Sequence, residues 1–257
     1  MGDRQTLTGR RALVTGASRG IGAAIARRLA ERGADVILAA RSADAIGALA
    51  ADLSGLGGRA LAIAADLSDR ESLAALMAEV EERAGGLDIM VNNAGVLPEA
   101  KAADDVSWAE WDATLGVNLA APWYLACRAK QLMTSGGVIV NNASTASYYP
   151  SRGLVAYNVS KSALVMLTRA LALEWARDGI RVVGVAPGKV DTDLVQPILR
   201  WSEKRRLPLN PMRRIGGADE VADLVAFLVS DEAGYITGVT VPIDGGELLA
   251  AGSEPGR

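Results

Sequence analysis

Two side chains four residues apart, Tyr157 and Lys161, are the first feature of this sequence with an evident chemistry. On a helix, four residues turn by about 400°, so both side chains lie on one face, roughly 40° apart. An ammonium beside a phenol favours the phenolate, and we expect it to lower the phenol pKa from about 10. Tyr157 is therefore a candidate acid or base near neutral pH.

The residue types that are missing narrow the chemistry further. The chain has 257 residues with no histidine and one cysteine, Cys127. These counts exclude histidine general bases, nearly all zinc catalysis and any intrachain disulfide. We expect no metal site, so proton transfer must use Tyr, Lys, Asp, Glu, Cys or water.

A Tyr-x-x-x-Lys pair is common by chance, and its weight depends on the residues around it. Ser144 stands 13 residues before Tyr157 (157 − 144), at the end of the fifth predicted strand, and Asn118 lies in the preceding predicted helix. The alternatives are ordinary structural ones. Ser144 could be a strand-end turn residue, and Asn118 could be a capping or helix-kink residue.

Short apolar runs alternate with longer amphipathic ones, which indicates a parallel sheet covered by helices on both faces. Strands are predicted at 12–14, 35–39, 59–64, 87–92, 137–141, 180–186 and 239–243. Helices are predicted at 20–32, 43–56, 69–83, 108–133, 155–177 and 221–229. Ser68 and Glu71 have the spacing of a capping box with Ser68 as the N-cap, and interruptions are expected near Gly116 and Pro122.

A glycine-rich turn from Thr15 to Gly22 separates the first predicted strand from the first predicted helix. Its spacing is G-x-x-x-G-x-G. Glycines let the backbone approach a pyrophosphate closely, and the helix N-terminus supplies free N–H groups. We predict a dinucleotide phosphate site here, with a tight turn that binds nothing as the alternative.

The residues after the second predicted strand bear on the choice of dinucleotide. In dinucleotide-binding folds an acidic residue at this place binds the ribose 2′-hydroxyl, whereas an arginine suits a 2′-phosphate. This chain has Arg41 and Ser42 there, and Arg19 adds a cation within the glycine turn. NADP(H) is therefore favoured and NAD(H) stays possible, with Arg41 as a solvated helix-start residue in the alternative interpretation.

Taken together, these motifs resemble the classical short-chain dehydrogenase/reductase family over essentially the whole chain. The matching residues are 15–22, Asp66, 92–95, Asn118, Ser144, 157–161, Pro187, Gly188, Thr192 and 244–246. The resemblance implies an α/β, Rossmann-type fold in one domain, residues 1–257. Its doubly wound sheet would have seven parallel strands in the order 3-2-1-4-5-6-7, with helices on both faces.

The resemblance also implies catalytic roles. Tyr157 would exchange a proton with the substrate oxygen, and Ser144 would hydrogen-bond that oxygen. Lys161 would bind the nicotinamide ribose and lower the pKa of Tyr157. Asn118 would hold a water that links Lys161 to solvent.

The implied cofactor contacts fall along the carboxyl ends of the strands. Asp66 would bind the adenine amino group, Asn92 would help to hold the central strand, and Val190 and Thr192 would contact the nicotinamide carboxamide. The remaining implied contacts are Gly16, Ser18, Arg19, Gly20, Ile21, Gly22, Arg41, Ser42, Leu67, Asn93, Ala94, Gly95, Pro187 and Gly188, together with Tyr157 and Lys161.

A segment from 189 to 217, rich in proline and arginine, is predicted to be a substrate-binding lid within the domain. Trp201 is its candidate substrate contact. Its basic residues either attract an anionic substrate or form a solvated face. They are Arg200, Lys204, Arg205, Arg206, Arg213 and Arg214.

The expected activity is hydride transfer between NADP(H) and a small ketone or secondary alcohol. An NAD-dependent alcohol or polyol dehydrogenase, a 3-oxoacyl-carrier-protein reductase and a non-catalytic nucleotide-binding regulator are the alternatives. Within the family, the sequence most resembles the 3-oxoacyl-carrier-protein reductases in its general pattern. Docking of an acidic carrier protein is nevertheless disfavoured. Residues 133–137 lack charge, and Asp178 stands beside Arg177.

The predicted partners are a small-molecule substrate and further copies of this chain. The helices at 111–133 and 155–177 resemble the pair through which the family forms dimers and tetramers, and a homotetramer is expected. The formal net charge of −3 does not indicate nucleic-acid binding. The sequence has no run of eighteen apolar residues that would indicate a membrane span. A cytoplasmic location is the default expectation.

Two departures from the family pattern stand out. Val183 replaces a common asparagine, so one strand hydrogen bond is expected to be missing. The strand before Ser144 reads Asn141-Asn142-Ala143, where family members more often have an apolar residue and a second serine.

Overall fold

The computed structural model of the protein describes residues 6–56, 58–192 and 210–250. These residues form one seven-stranded sheet in which all neighbouring strands are parallel. The strand order is β3-β2-β1-β4-β5-β6-β7. The predicted doubly wound fold and its strand order are therefore confirmed.

The strands are short and mostly buried, as expected for a sheet that is covered on both faces. Their bounds are β1 Arg11–Thr15, β2 Asp35–Ala40, β3 Ala60–Ala64, β4 Ile89–Asn92, β5 Gly137–Asn142, β6 Ile180–Pro187 and β7 Thr240–Ile243. The α-helices are α1 Gly20–Glu31, α2 Ala43–Leu53, α3 Arg70–Ala84, α4 Trp108–Leu115, α5 Ala121–Leu132, α6 Val155–Trp175, α7 Ala218–Val229 and α8 Glu247–Ala250.

Alternate side chains of the central strands enter two apolar layers on opposite faces of the sheet. In β1, Val14 joins the layer that contains buried residues of α1, α2 and α7. Its neighbour Leu13 joins the layer that contains buried residues of α3, α5 and α6. Burial on both faces thus holds the carboxyl ends of the strands, and the loops that follow them, at one edge.

The capping box expected at Ser68 is wrong. Asp69 is the N-cap of α3, and its carboxylate accepts hydrogen bonds from the backbone N–H groups of Glu71 (3.1 Å) and Ser72 (3.2 Å). The Ser68 hydroxyl donates instead to Asp66 (2.8 Å). Asp69 can accept from two N–H groups at once through its two oxygens, which explains why the helix starts one residue later.

The interruption expected near Gly116 and Pro122 is a five-residue π-helix, Gly116–Ala120, which ends two residues before Pro122. The helical path runs through α4, the π-helix and α5 without a break. Pro122 has no N–H to donate to the carbonyl of Asn118 four residues back. The wider π-turn before it accommodates that missing bond.

The two ends of the predicted lid lie side by side. Val190 and Gly216 form a parallel bridge, and the Asp191 N–H donates to the carbonyl of Gly216 (2.9 Å). Most of the lid, residues 193–209, lies outside the described residues. Trp201, Arg200, Lys204, Arg205 and Arg206 fall there, so the lid and its contacts stay predictions.

Among the described residues, no helix is both long and apolar enough for a bilayer span.

Candidate active site

The predicted catalytic residues meet at the carboxyl edge of the sheet. Ser144 follows β5, Asn118 lies in the π-helix, and Tyr157 and Lys161 occupy the first turns of α6. In an open parallel sheet the crevice at this edge is where ligands bind. The fold therefore brings the four side chains to the expected place, while their roles stay predictions.

Lys161 is buried, with 4% of its surface exposed. Its ammonium donates a hydrogen bond to the main-chain carbonyl of Asn142 (2.7 Å). A Cβ atom on Gly95 would lie 3.4 Å from Nζ, so the ammonium lies close to the loop after β4. Burial lowers the pKa of Lys161 to about 8, because removing the ammonium from water disfavours its charged form.

Tyr157 is half-buried, and the Lys161 nitrogen lies 5.9 Å from the centre of its ring. Burial raises the pKa of Tyr157 above its ordinary value, and a hydrogen bond with Ser144 lowers it only in part. The expectation of a Tyr157 pKa below 10 is therefore wrong for the protein without cofactor, while the contribution of Lys161 stays a prediction. Loss of solvation outweighs the hydrogen bond with Ser144, so the phenol keeps its proton at pH 7.

Ser144 has extended backbone and begins a 3₁₀ turn, Thr145–Ser147. Its hydroxyl accepts a hydrogen bond from the N–H of Ala146 (3.1 Å) and also contacts the phenol of Tyr157. Ser144 is thus both the strand-end turn residue of the structural alternative and a neighbour of the candidate acid.

Asn118 is completely buried, and its side chain links two segments of the chain. Its side-chain oxygen accepts from the N–H of Val96 (2.8 Å), and its nitrogen donates to the carbonyl of Val96 (2.9 Å) and the hydroxyl of Ser160 (3.1 Å). The π-helix turns this side chain inward to join the loop after β4 to α6. The helix-kink interpretation therefore holds in part, and the water relay stays a prediction.

Asn92 and Asn141 face each other across β4 and β5 in a buried polar pair. Asn92 donates to the side-chain oxygen of Asn141 (2.9 Å) and to the carbonyl of Pro122 (3.3 Å). Asn141 donates in turn to the hydroxyl of Thr168 on α6 (2.9 Å). These bonds tie the two central strands to α6, which carries Tyr157 and Lys161, and to α5, which continues the π-helix that carries Asn118.

The glycine turn is shaped so that side chains would not fit. Gly16 and Gly20 have φ angles of 65° and 55°, in the left-handed region that favours glycine. A Cβ on Gly22 would lie 2.2 Å from the carbonyl oxygen of Gly16 and 2.4 Å from the side-chain nitrogen of Asn93. The turn is therefore drawn close against the loop after β4.

The N-terminus of α1 suits an anion. Arg19, the residue before the helix, has no side-chain acceptor for the first N–H groups, and the first turn of α1 has no acidic residue. By contrast, Ser42, Asp69 and Ser107 cap α2, α3 and α4 with side-chain oxygens. The open N–H groups beside a cradle without Cβ atoms fit the pyrophosphate of a dinucleotide.

The predicted adenosine contacts gather after β2 and β3. The Ser42 hydroxyl caps α2 through the N–H of Ala45 (3.3 Å). Hydrogen bonds from Ser68 lower the pKa of Asp66, and the nearby positive charge of Arg41 lowers it further. Arg41 and Asp66 are both exposed, and Leu67 beside them is buried. A cation here fits a 2′-phosphate.

The predicted nicotinamide contacts lie on the other side of the glycine turn. Val190 is buried, and a Cβ on Gly20 would lie 3.2 Å from the methyl carbon of Thr192.

The described residues contain no cluster of acidic or cysteine side chains that could hold a metal ion.

The role of Thr15, the first residue of the glycine-rich turn, was not predicted from the sequence. Its hydroxyl accepts from the N–H groups of Asn93 (3.0 Å) and Ala94 (3.1 Å) and donates to the carbonyl of Val91 (3.2 Å). The usable signal was its position as the last residue of β1, directly before the first glycine. Thr15 thereby fixes the loop after β4 against the glycine turn.

The buried ammonium of Lys161 gives the protein a specific pH dependence. Since folding lowers the pKa of Lys161 from 10.5 to about 8, the unfolded chain binds more protons between these values, and stability rises with pH there. We expect the free energy of unfolding of the wild type, relative to Lys161→Met, to rise by roughly 1 kcal/mol per pH unit between about pH 8 and 10.

Urea denaturation of both proteins from pH 7 to 10 measures this difference. Below the folded pKa the difference should be constant, because both states of the wild type are then protonated. A difference that stays constant over the whole range would contradict a buried, charged Lys161.

Comparisons with known proteins agree with the geometry. Residues 16–247 match the family described as "Enoyl-(Acyl carrier protein) reductase". The oxidoreductase UcpA of Salmonella typhimurium is 39% identical over 254 residues, which cover 95% of this chain and 96% of the relative. An uncharacterized short-chain type dehydrogenase/reductase of Sinorhizobium fredii is 38% identical over 100% of this chain, which spans only 46% of that relative.

Among solved structures, a short chain dehydrogenase from Burkholderia cenocepacia in complex with NADP is similar, with a TM-score of 0.87 and 42% identity. The match covers 94% of this chain and 98% of that one. The same conclusion follows from these matches, from the glycine turn and from the cluster of Ser144, Tyr157 and Lys161. The chain belongs to the classical short-chain dehydrogenase/reductase family of oxidoreductases.

Proposed function

We propose that this protein is an NADP(H)-dependent carbonyl reductase that converts a small-molecule ketone to a secondary alcohol. One observation carries the proposal. Ser144 and Tyr157 lie in hydrogen-bond contact at the crevice edge, and the buried ammonium of Lys161 lies 5.9 Å from the centre of the Tyr157 ring. Two hydroxyl donors beside a cation can stabilise the negative charge that develops on a carbonyl oxygen during reduction.

The protonation state of Tyr157 favours reduction at neutral pH. A phenol whose pKa is raised by burial keeps its proton at pH 7 and can donate it to an alkoxide as that charge develops. The reverse oxidation requires the phenolate, which becomes available only at higher pH. Bound nicotinamide cofactor supplies the hydride, while the protein orients the reactants and moves the proton.

Lys161 and Asn118 support this proton transfer in the proposal. Below the Lys161 pKa of about 8, its ammonium stabilises negative charge near Tyr157. The side chain of Asn118 is already bonded to Val96 and Ser160, so a relay water would bind the main-chain carbonyl of Asn118. Pro122 denies that carbonyl its regular helix donor, which leaves it suited to a water.

NADP(H) is favoured over NAD(H) by the charges at the adenosine end. Arg41 follows β2 where an acidic residue would repel a phosphate, and Arg19 lies at the glycine turn. The similar Burkholderia enzyme binds NADP, which supports the same choice here.

Docking of a carrier protein stays disfavoured in this proposal. Near the end of α6, Lys130 pairs with Asp178 (2.8 Å), which neutralises one positive charge there. An acidic partner would meet an acid–base pair rather than a basic patch. A nucleotide-binding regulator remains the second candidate, and an absence of turnover across a broad ketone panel would favour it.

Replacing Tyr157 by phenylalanine tests the proton donor. Tyr157→Phe should lower turnover of any accepted ketone by about 10²- to 10⁴-fold and change the NADPH dissociation constant by less than about twofold. Tyr235→Phe is the matched control, because Tyr235 is fully exposed and distant in sequence from the site. NADPH oxidation over a panel of ketones measures turnover, and retained turnover in Tyr157→Phe would refute the assignment.

Replacing Arg41 by alanine tests the choice of cofactor. Arg41→Ala should lower kcat/KM for NADPH by about 10- to 100-fold and leave that for NADH within about twofold, since only NADPH carries the 2′-phosphate. Arg27→Ala, on the exposed side of α1, is the control. A wild type that prefers NADH would overturn the argument from Arg41 and Arg19.

We also propose that the protein is a homotetramer. Val159, Met166 and Leu173 repeat every seven residues on α6 and are all exposed, Leu173 to 84%. Trp123 adds an exposed apolar side chain on α5. Apolar stripes of this kind on a helix are typical of self-association.

Sedimentation velocity tests the assembly. The wild type should sediment at about 107 kDa, four times the 26.7 kDa of the chain. Met166→Glu combined with Leu173→Glu should shift the protein to smaller species, because the substitutions place charges in the apolar stripe. Leu249→Glu, at an exposed leucine of α8, should not shift it. A wild type that is only monomeric would reject the tetramer.

A further inference from the structure

Asn142, the last residue of β5, has a buried side chain that none of the proposed catalytic roles uses. It stands between two parts of the site. Its main-chain carbonyl holds the ammonium of Lys161 (2.7 Å), and its side-chain nitrogen donates to the side-chain oxygen of Asn93 (2.9 Å).

Asn93 continues the connection to the glycine turn. Its side-chain nitrogen donates to the main-chain carbonyls of Thr15 (2.9 Å) and Gly16 (3.3 Å). A series of hydrogen bonds therefore runs from Lys161 through Asn142 and Asn93 to the turn that would hold the pyrophosphate.

The chemistry of these bonds requires a donor at position 142. Because the nitrogen of Asn93 faces two carbonyls, its oxygen must face Asn142. Asn142 must then present its own nitrogen, which is the orientation observed. Leucine cannot make this bond, and serine is too short to span the same distance.

Asparagine at this position has a cost that an apolar strand residue would avoid. The side-chain oxygen of Asn142 is buried and has no hydrogen-bond partner among the described residues. An unpaired buried acceptor is unfavourable, so the bond to Asn93 is the feature that accounts for the polar side chain.

We propose that Asn142 is a positioning residue for cofactor binding, which acts by orienting Asn93 against the glycine turn. This inference rests on the proposed function, because it assigns the ordered turn to NADP(H). The acid–base residues are not the target of the Asn142 side chain, since the bond to Lys161 uses a main-chain carbonyl that every substitution retains.

The expected signature is a change in affinity without a change in proton transfer. Asn142→Leu and Asn142→Ser should each raise the NADPH dissociation constant by about tenfold, the equivalent of one lost hydrogen bond. The pH profile of kcat at saturating NADPH should match the wild type. In the cofactor-free protein, amide hydrogens of residues 15–20 should exchange about fivefold faster.

Asn141→Leu is the matched control. Asn141 is the adjacent buried asparagine, but its amide bonds Asn92 and Thr168 rather than the glycine turn. This variant should lower thermal stability and leave the NADPH dissociation constant within about twofold of the wild type. Equal loss of affinity in both variants would mean general destabilisation and would overturn the proposal.

A double-mutant cycle with Asn93→Ala tests the route. If Asn142 acts through Asn93, adding Asn142→Leu to Asn93→Ala should not weaken NADPH binding further. Additive losses, or unchanged affinity and exchange in both Asn142 variants, would refute the inference. A wild type that binds neither NADPH nor NADH would refute the proposed function instead, and the exchange rates would still decide whether Asn142 orders the turn.

Discussion

The site depends on the burial of an ammonium and a phenol together at the carboxyl edge of the sheet. The ammonium of Lys161 donates to the carbonyl of Asn142 and lies close to Gly95. Withdrawal from water lowers the pKa of Lys161 and raises that of Tyr157, so burial moves both groups toward their neutral forms. The proton donor is therefore ready for an alkoxide before any cofactor or substrate arrives.

The same edge also organises the cofactor crevice. The glycine turn and the open N-terminus of α1 form a place for phosphates. The side chains of Asn93, after β4, and Asn142, at the end of β5, connect the glycine turn to the strand end that holds Lys161. Backbone hydrogen bonding alone would leave these loops independent of one another. Buried amides are suited to joining them because each amide can donate and accept in one plane.

Much of this arrangement could be predicted from the sequence, and the exceptions have identifiable causes. Apolar alternation and the ordered motifs were sufficient for the sheet and for the meeting of Ser144, Tyr157 and Lys161. Ser68 and Asp69 are both good caps, and only coordinates show which one the helix uses. The expectation of a lowered Tyr157 pKa was wrong because the helical spacing of Tyr157 and Lys161 indicates a neighbouring charge but not the loss of solvent around the phenol. Asn142 stood out only as a departure, since its partner is distant in sequence.

The most direct test is to titrate Tyr157 in the cofactor-free protein. The titration is monitored by NMR of tyrosine labelled with ¹³C at Cζ. The signal is assigned by its absence in Tyr157→Phe. The phenol should titrate above its ordinary pKa of 10, because burial dominates its environment. A midpoint below about pH 8 would show that the charge of Lys161 governs the phenol, and it would contradict the account.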